Sequence, residues 1–244
     1  MFGSSNPVFS QSLLKGHTNY ENTLSVRGTF NKALILFALL ISTAFYSWYY
    51  FFNNGIFNSS YITISAIAGF IVSLIIIFKP NTAPFLAPVY AVIEGFFISY
   101  ISLYFNSFYP GIITQASLMT FAVVGIIITG YSLGIFKVSP SFIKGVQVAT
   151  GALCLVYLLN FLFSFFGMPF AFLFSSSPLG ILISVVIVII ASANILTNVH
   201  FIFQSEKHGL SKNMEWYLAF GLMVAVIWLY LEILRLFSKL QDRN

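Results

Sequence analysis

Seven apolar stretches, each about 20 residues or longer and nearly free of charge, succeed one another over residues 31–53, 59–78, 84–105, 112–136, 145–166, 178–203 and 214–238. About 20 residues is the length an α-helix needs to cross the hydrocarbon core of a bilayer. Backbone groups in lipid must find hydrogen-bond partners within their own segment, so such stretches cross as helices. The pattern predicts an all-α, polytopic membrane helical bundle with seven transmembrane helices. Charged residues make up only 7% of the chain, against about 25% in soluble domains, too few to cover a water-facing surface. The expected organisation is a short cytoplasmic N-terminal arm (1–30), a transmembrane domain (31–240) and a C-terminal tail (241–244). The arm lacks the compact charged-then-apolar pattern of a cleaved signal, so the first stretch is read as a retained helix. Asn53-Asn54-Gly55, Tyr109-Pro110-Gly111 and Ser139-Pro140 punctuate the connections. The chain has no evident internal repeat, which speaks against an inverted-repeat transporter.

The net charge of +5 does not point to nucleic acid, because the basic residues sit beside the apolar stretches as topology signals do; the expected partner is the lipid bilayer. With the N-terminus inside, Lys15, Arg27, Lys32, Lys79, Lys137, Lys144, Lys207 and Lys212 fall on the cytoplasmic side, and the three outer loops carry no lysine or arginine. Arg235, Lys239 and Arg243 are discordant, because a seven-span chain puts them outside. Cys154 is the single cysteine, so neither an intrachain disulfide nor a cysteine-based metal site is expected. No cofactor is expected either.

Two of the six acidic residues fall inside apolar stretches, where a charge costs about 2.5–3.5 kcal/mol on insertion scales. Glu94 lies near the middle of the third stretch and Glu232 in the last. Arg235 follows Glu232 by three residues, which puts both on one helix face as an ion pair; burial and Arg235 pull the ionisation of Glu232 in opposite directions. Gly221, Ala225 and Trp228 share that face, and the small residues let a neighbouring helix approach closely. The last helix is therefore expected to be central. Glu206 and Glu215 fit in or near a cytoplasmic loop. Asn194 and Asn198 share a face of the sixth helix and read first as interhelical hydrogen-bonding groups, as does Asn160; His200 reads as an interface residue.

Gly130-Tyr131-Ser132-Leu133-Gly134 matches the spacing of a hydrolase nucleophile elbow, which requires a strand-to-helix turn and partner residues that a membrane helix does not supply. Gly130 and Gly134 read instead as a helix-packing pair. With no zinc-protease histidine pair, P-loop or dinucleotide fingerprint, an enzyme is not expected.

The segments APVYAVIEGFFISYISLYF (87–105), YPGIITQA (109–116), FKVSPSFIKGVQVATGA (136–152), YLLNF (157–161), SSPLGILIS (176–184) and MEWYLAFGLMVAVIWLYLEILRLFSKL (214–240) resemble the Bax inhibitor-1-like family, in particular its bacterial YccA-like branch. The resemblance runs from SSNPVFS (4–10) over most of the chain. It implies a seven-helix bundle with the last helix in the middle, and a bacterial inner membrane location. It also implies a pH-sensitive calcium leak, or modulation of a membrane protease. A pair of carboxylates on the sixth and last helices is associated with opening in that family; Glu232 matches the last-helix acid, and the sixth-helix acid falls on Asn198. An amide there supplies a neutral oxygen where calcium favours charge, and it removes the repulsion between two carboxylates as a source of pH response. The leading expectation is an ion or proton leak pathway with a polar centre of Glu232, Arg235, Asn198 and Glu94. The alternative is a non-conducting regulator that binds a membrane protease or another membrane complex.

Overall fold

The computed structural model describes residues 23–54, 60–164, 166–168, 170 and 175–243. Among them are seven α-helices: α1 (Val26–Asn54), α2 (Ser60–Phe78), α3 (Ala83–Phe108), α4 (Ile112–Ser132), α5 (Pro140–Ser164), α6 (Pro178–Lys207) and α7 (Met214–Gln241). A 3-10 turn at Pro80–Thr82 leads into α3. Six of the helices are long and apolar enough to cross a membrane. The remaining one, α2, has 19 residues, or about 28 Å at ~1.5 Å per residue, close to the hydrocarbon thickness of about 30 Å. Phe78, Phe85, Val148 and Tyr49 are among many large apolar or aromatic side chains on the outside, an arrangement that water does not tolerate over such an area and lipid does. The protein is an all-α polytopic membrane bundle.

The helix ends depart from the apolar limits for a local reason. Hydropathy marks where lipid begins, whereas caps mark where a helix begins. Ser25 accepts a hydrogen bond from the Gly28 amide at 2.9 Å, so α1 starts at Val26 and not at 31. Ser139 accepts from the Phe142 amide at 3.1 Å and Ser177 from the Gly180 amide at 3.2 Å. Each is an N-cap serine followed by a proline at the first helical position, where the missing N–H costs nothing. Hence α5 begins at 140, ahead of the expected 145.

At the other end, α4 stops at Ser132 instead of running to 136. Gly134 has φ +72°, the Ile135 amide bonds the Gly130 carbonyl and the Gly134 amide bonds the Tyr131 carbonyl: a Schellman stop with glycine in the left-handed position. The expected packing role for Gly130 and Gly134 is therefore corrected. Gly134 lies beyond the helix, and a Cβ on Gly130 would meet Cδ2 of Phe136 at 2.7 Å, so that glycine makes room for the chain folding back after the stop. Ser132 is part of helical backbone and bonds the Ile128 carbonyl, which removes any likeness to a nucleophile elbow. Part of the stretch 164–177 lies outside the described residues, as do residues 1–22.

The described residues group into two compact units. The first comprises residues up to Phe108 together with Phe201–Met223, the second Tyr109–His200 together with the chain from Val224 onward. Helices α6 and α7 each contribute one part to each unit. In the first, α3 packs on both α1 and α2. Gly95 permits the α1 contact, since a Cβ there would lie 2.6 Å from the Leu40 carbonyl oxygen. In the second, Lys239 of α7 donates to the Gly180 carbonyl at 3.1 Å and to Ser184 of α6 at 2.7 Å. The end of α7 thus lies beside the start of α6, and the two run antiparallel. The window of highest hydropathy in α7 is 83% buried, against 50% or less in the other five long spans. The last helix is the interior one, as its small-residue face predicts, with Gly221 and Ala225 both buried.

Candidate functional site

The second unit holds a polar network inside the apolar helices. Glu232 is 2% exposed, and one of its oxygens accepts from the Tyr157 hydroxyl at 2.9 Å and from the Trp228 indole at 3.2 Å. One terminal nitrogen of Arg235 donates to both oxygens, at 3.1 and 3.0 Å, and to the Tyr157 hydroxyl at 2.7 Å. The guanidinium carbon also stands 5.3 Å from the centre of the Tyr157 ring. Trp228, Glu232 and Arg235 meet because spacings of four and three residues bring side chains onto one helix face. Tyr157 comes from α5. Its hydroxyl donates to the acid and accepts from the base, so the ion pair is closed by a neutral group. Arg235 keeps 27% of its side chain exposed.

Asn198 does not join this network. Its side chain is buried, and neither amide atom has a hydrogen-bond partner. The Lys239–Ser184 contact sets the register of the antiparallel pair and puts Asn198 level with about Ala225, seven residues from Glu232, or roughly 10 Å along the axis at ~1.5 Å per residue. The expected pairing of Asn198 with Glu232 is thus replaced by Tyr157 with Glu232. Asn194 donates to Thr150 of α5 at 3.1 Å, the interhelical bridge expected of it, whereas Asn160 accepts from the Phe170 amide at 2.8 Å, in the segment that follows its own helix. His200 shares a 2.8 Å hydrogen bond with the Tyr131 hydroxyl. Glu94 belongs to the first unit, where it is buried, is hydrogen-bonded by Tyr90 one turn before it, and lies against Gly69 of α2.

The first unit contains a second carboxylate network, built on two acids that the sequence reading placed in or near a loop without partners. Glu215 is 1% exposed and ion-paired with Lys32. It also accepts from the Ser25 amide at 2.9 Å and the Ser25 hydroxyl at 3.2 Å, and Glu206 accepts from the Val26 amide at 2.9 Å. Lys32 lies 5.7 Å from the centre of the Trp216 ring. The two acids hold the positive end of α1, where free amides and the helix dipole favour negative charge. A Cβ at Gly28 would fall 2.6 Å from the carboxyl carbon of Glu215, so glycine is what lets the acid reach that turn. The Leu24 amide bonds the Leu210 carbonyl at 2.6 Å, completing the attachment of α1 to the α6–α7 turn. The sequence signal was Glu215 in the first turn of α7, with serine and glycine beginning α1.

Outside the spans, Asp242 accepts from the Tyr109 hydroxyl and from Ser176 at 2.8 Å. These bonds, that from Tyr109 first, hold its carboxyl below the usual aspartate range. Among the described residues no cluster of three or more histidine, cysteine or acidic side chains suits a metal ion.

Apolar helices carrying a buried, charge-neutral polar network on an interior last helix define an integral membrane protein of the multi-span helical class. The chain belongs to the Bax inhibitor 1 like family, whose family model matches residues 6–242. No curated protein matches it, and no solved structure does.

Proposed function

We propose that the protein is a leak pathway for calcium or protons, non-enzymatic, held closed by the Glu232–Tyr157–Arg235 network. The observation that carries this reading is a carboxylate 2% exposed within a membrane helix and paired with an arginine that is 27% exposed. Intramembrane ionisable groups are costly and mark ion or proton pathways more often than mere packing. While Arg235 holds Glu232, a cation meets no net negative charge there; movement of Arg235 away presents a carboxylate. The proposed setting is a bacterial inner membrane with the N-terminus cytoplasmic. Calcium and proton flux into liposomes, measured at several pH values, tests it. Arg235→Gln is expected to raise flux by freeing Glu232, and Asn198→Asp by adding a second acid. Absence of flux in the wild type and in both variants, at every pH, removes the reading.

The second reading is a non-conducting regulator that binds a membrane protease or another membrane complex. It is favoured by the fact that both buried acids with a basic neighbour, Glu232 and Glu215, are held in ion pairs, as structural groups are. It predicts that Glu232→Gln leaves regulation intact while changes in the N-terminal arm abolish partner binding.

A further inference from the structure

In the first unit, α1, α2 and α3 leave a cavity of about 450 Å³ that the polar networks do not use. Its floor includes Ser47, Ser65 and Tyr100, all buried, and its rim includes Tyr46, Ile64 and Phe96, all exposed. The Ser47 hydroxyl bonds the Thr43 carbonyl at 2.8 Å and the Ser65 hydroxyl bonds the Ile62 carbonyl at 3.1 Å, each within its own helix. The lining contains no charged residue, so nothing in it recognises an ion or a lipid headgroup.

The lining positions lie about 5–12 Å inside the end of α1 and about 6–12 Å inside the start of α2, at ~1.5 Å per residue. The rim is therefore level with the acyl chains of one leaflet, and the cavity opens onto hydrocarbon. A methylene group takes up about as much room as a water molecule, ~30 Å³, so the cavity accommodates a chain of roughly 15 carbons. That is the size of one acyl chain of an ordinary phospholipid. We infer that the α1–α2–α3 cavity is a resident-lipid site that takes one phospholipid acyl chain, chosen by chain and not by headgroup. This inference is independent of whether the protein conducts.

The test uses the full chain reconstituted in bilayers containing a phospholipid with a photoactivatable diazirine at mid-chain, with adducts mapped by mass spectrometry. Adducts on 46–51, 64–68 and 93–100 are expected to exceed those at the lipid-facing control positions Leu118 and Phe121 by about tenfold, the ratio that ~1.4 kcal/mol of preferential occupancy gives. They should be equal for zwitterionic and anionic headgroups. Ala68→Phe, which fills the cavity, should bring them to the control level, and the milder Ala68→Leu should lower them if the larger side chain disturbs folding. Equal labelling of cavity and control positions overturns the inference, as does labelling unchanged in both variants. A clear preference for one headgroup, or enrichment seen only with a free diazirine fatty acid, also overturns it.

Discussion

Replacing Lys32 with methionine keeps the apolar stem and removes the cation opposite Glu215. Glu215 is 1% exposed and Lys32 18%, so the pair stands between two limits. Exposed pairs are worth about 0–1 kcal/mol, whereas removing one partner of a buried pair costs about 3–5 kcal/mol, because it strands the other charge. Here the stranded carboxylate keeps the Ser25 amide and hydroxyl, at 2.9 and 3.2 Å, and hydrogen bonds to charged groups are worth roughly 1.5–3 kcal/mol. They soften the loss, and Lys32→Met should destabilise the protein by about 2–4 kcal/mol, below the full buried-pair cost. Adding Glu215→Gln removes the stranded charge, so the double variant should be less damaged than the sum of the two single changes, by about 1 kcal/mol or more for groups in contact. Equilibrium unfolding in mixed micelles measures both quantities. Trp216, whose ring lies 5.7 Å from the lysine nitrogen, serves as a local fluorescence probe. Hydrogen exchange should quicken at Ser25 and Val26, the amides held by Glu215 and Glu206. A cost below about 0.5 kcal/mol, with strict additivity, would mean a water-screened surface pair and would refute the argument that Glu215 anchors α1.

Gly95→Ala should cost about 1–3 kcal/mol by overpacking, since the new Cβ meets the Leu40 carbonyl oxygen at 2.6 Å and Cβ of Thr43 at 2.7 Å; an unchanged unfolding midpoint counts against that close approach. Asn198→Leu should raise stability by about 1–3 kcal/mol, the desolvation cost of an unpaired buried amide, and a fall instead would show the amide to be hydrogen-bonded in the working protein. The tie of Asp242 to Tyr109 and Ser176 should be pH-dependent. Because the folded carboxyl titrates below its unfolded value of ~3.9, the contribution is present above that value and is lost as pH falls through the folded one. Protease nicking or exchange in the last turn should therefore increase below about pH 4 in the wild type, whereas Asp242→Asn should show that looseness already at neutral pH.

The helices themselves were legible because the bilayer imposes one length and one composition on each crossing, and the Gly221 and Ala225 face correctly marked α7 as interior. Helix ends were less legible because they follow capping chemistry: Ser25 and Ser139 start two helices ahead of the apolar limit, and Gly134 ends one before it. The Glu232–Arg235 pair and Trp228 could be read from spacing within a single helix. Tyr157 could not, since it comes from α5 and looks in sequence like any interfacial tyrosine. Asn198 was linked to Glu232 through the resemblance, but antiparallel register is a long-range property that depends on the length of the α6–α7 turn, and it separates the two. Glu215 does lie next to a loop, in the first turn of α7, but its burial and its partners were not read. Its place next to a loop suggested water, yet the loop brings it under the first turn of α1.

The same contacts account for the discordant basic residues at the end of the chain. The positive-inside tendency acts through lysine and arginine in short loops and near the ends of the spans, largely regardless of neighbouring acids; side chains fastened inside the bundle are the least available to it. Arg235 is engaged with Glu232 and Tyr157, and Lys239 is buried, with its ammonium donating to Gly180 and Ser184. Neither is available as an independent topology signal. That leaves Arg243 at the C-terminal end, while Lys79, Lys137, Lys144, Lys207 and Lys212 lie in or next to the connections that the proposed topology places inside. Under the proposed cytoplasmic N-terminus, an odd number of crossings then puts the C-terminal end outside without violating the charge bias. Arg235 and Lys239 serve instead to fasten α7 to α5 and α6.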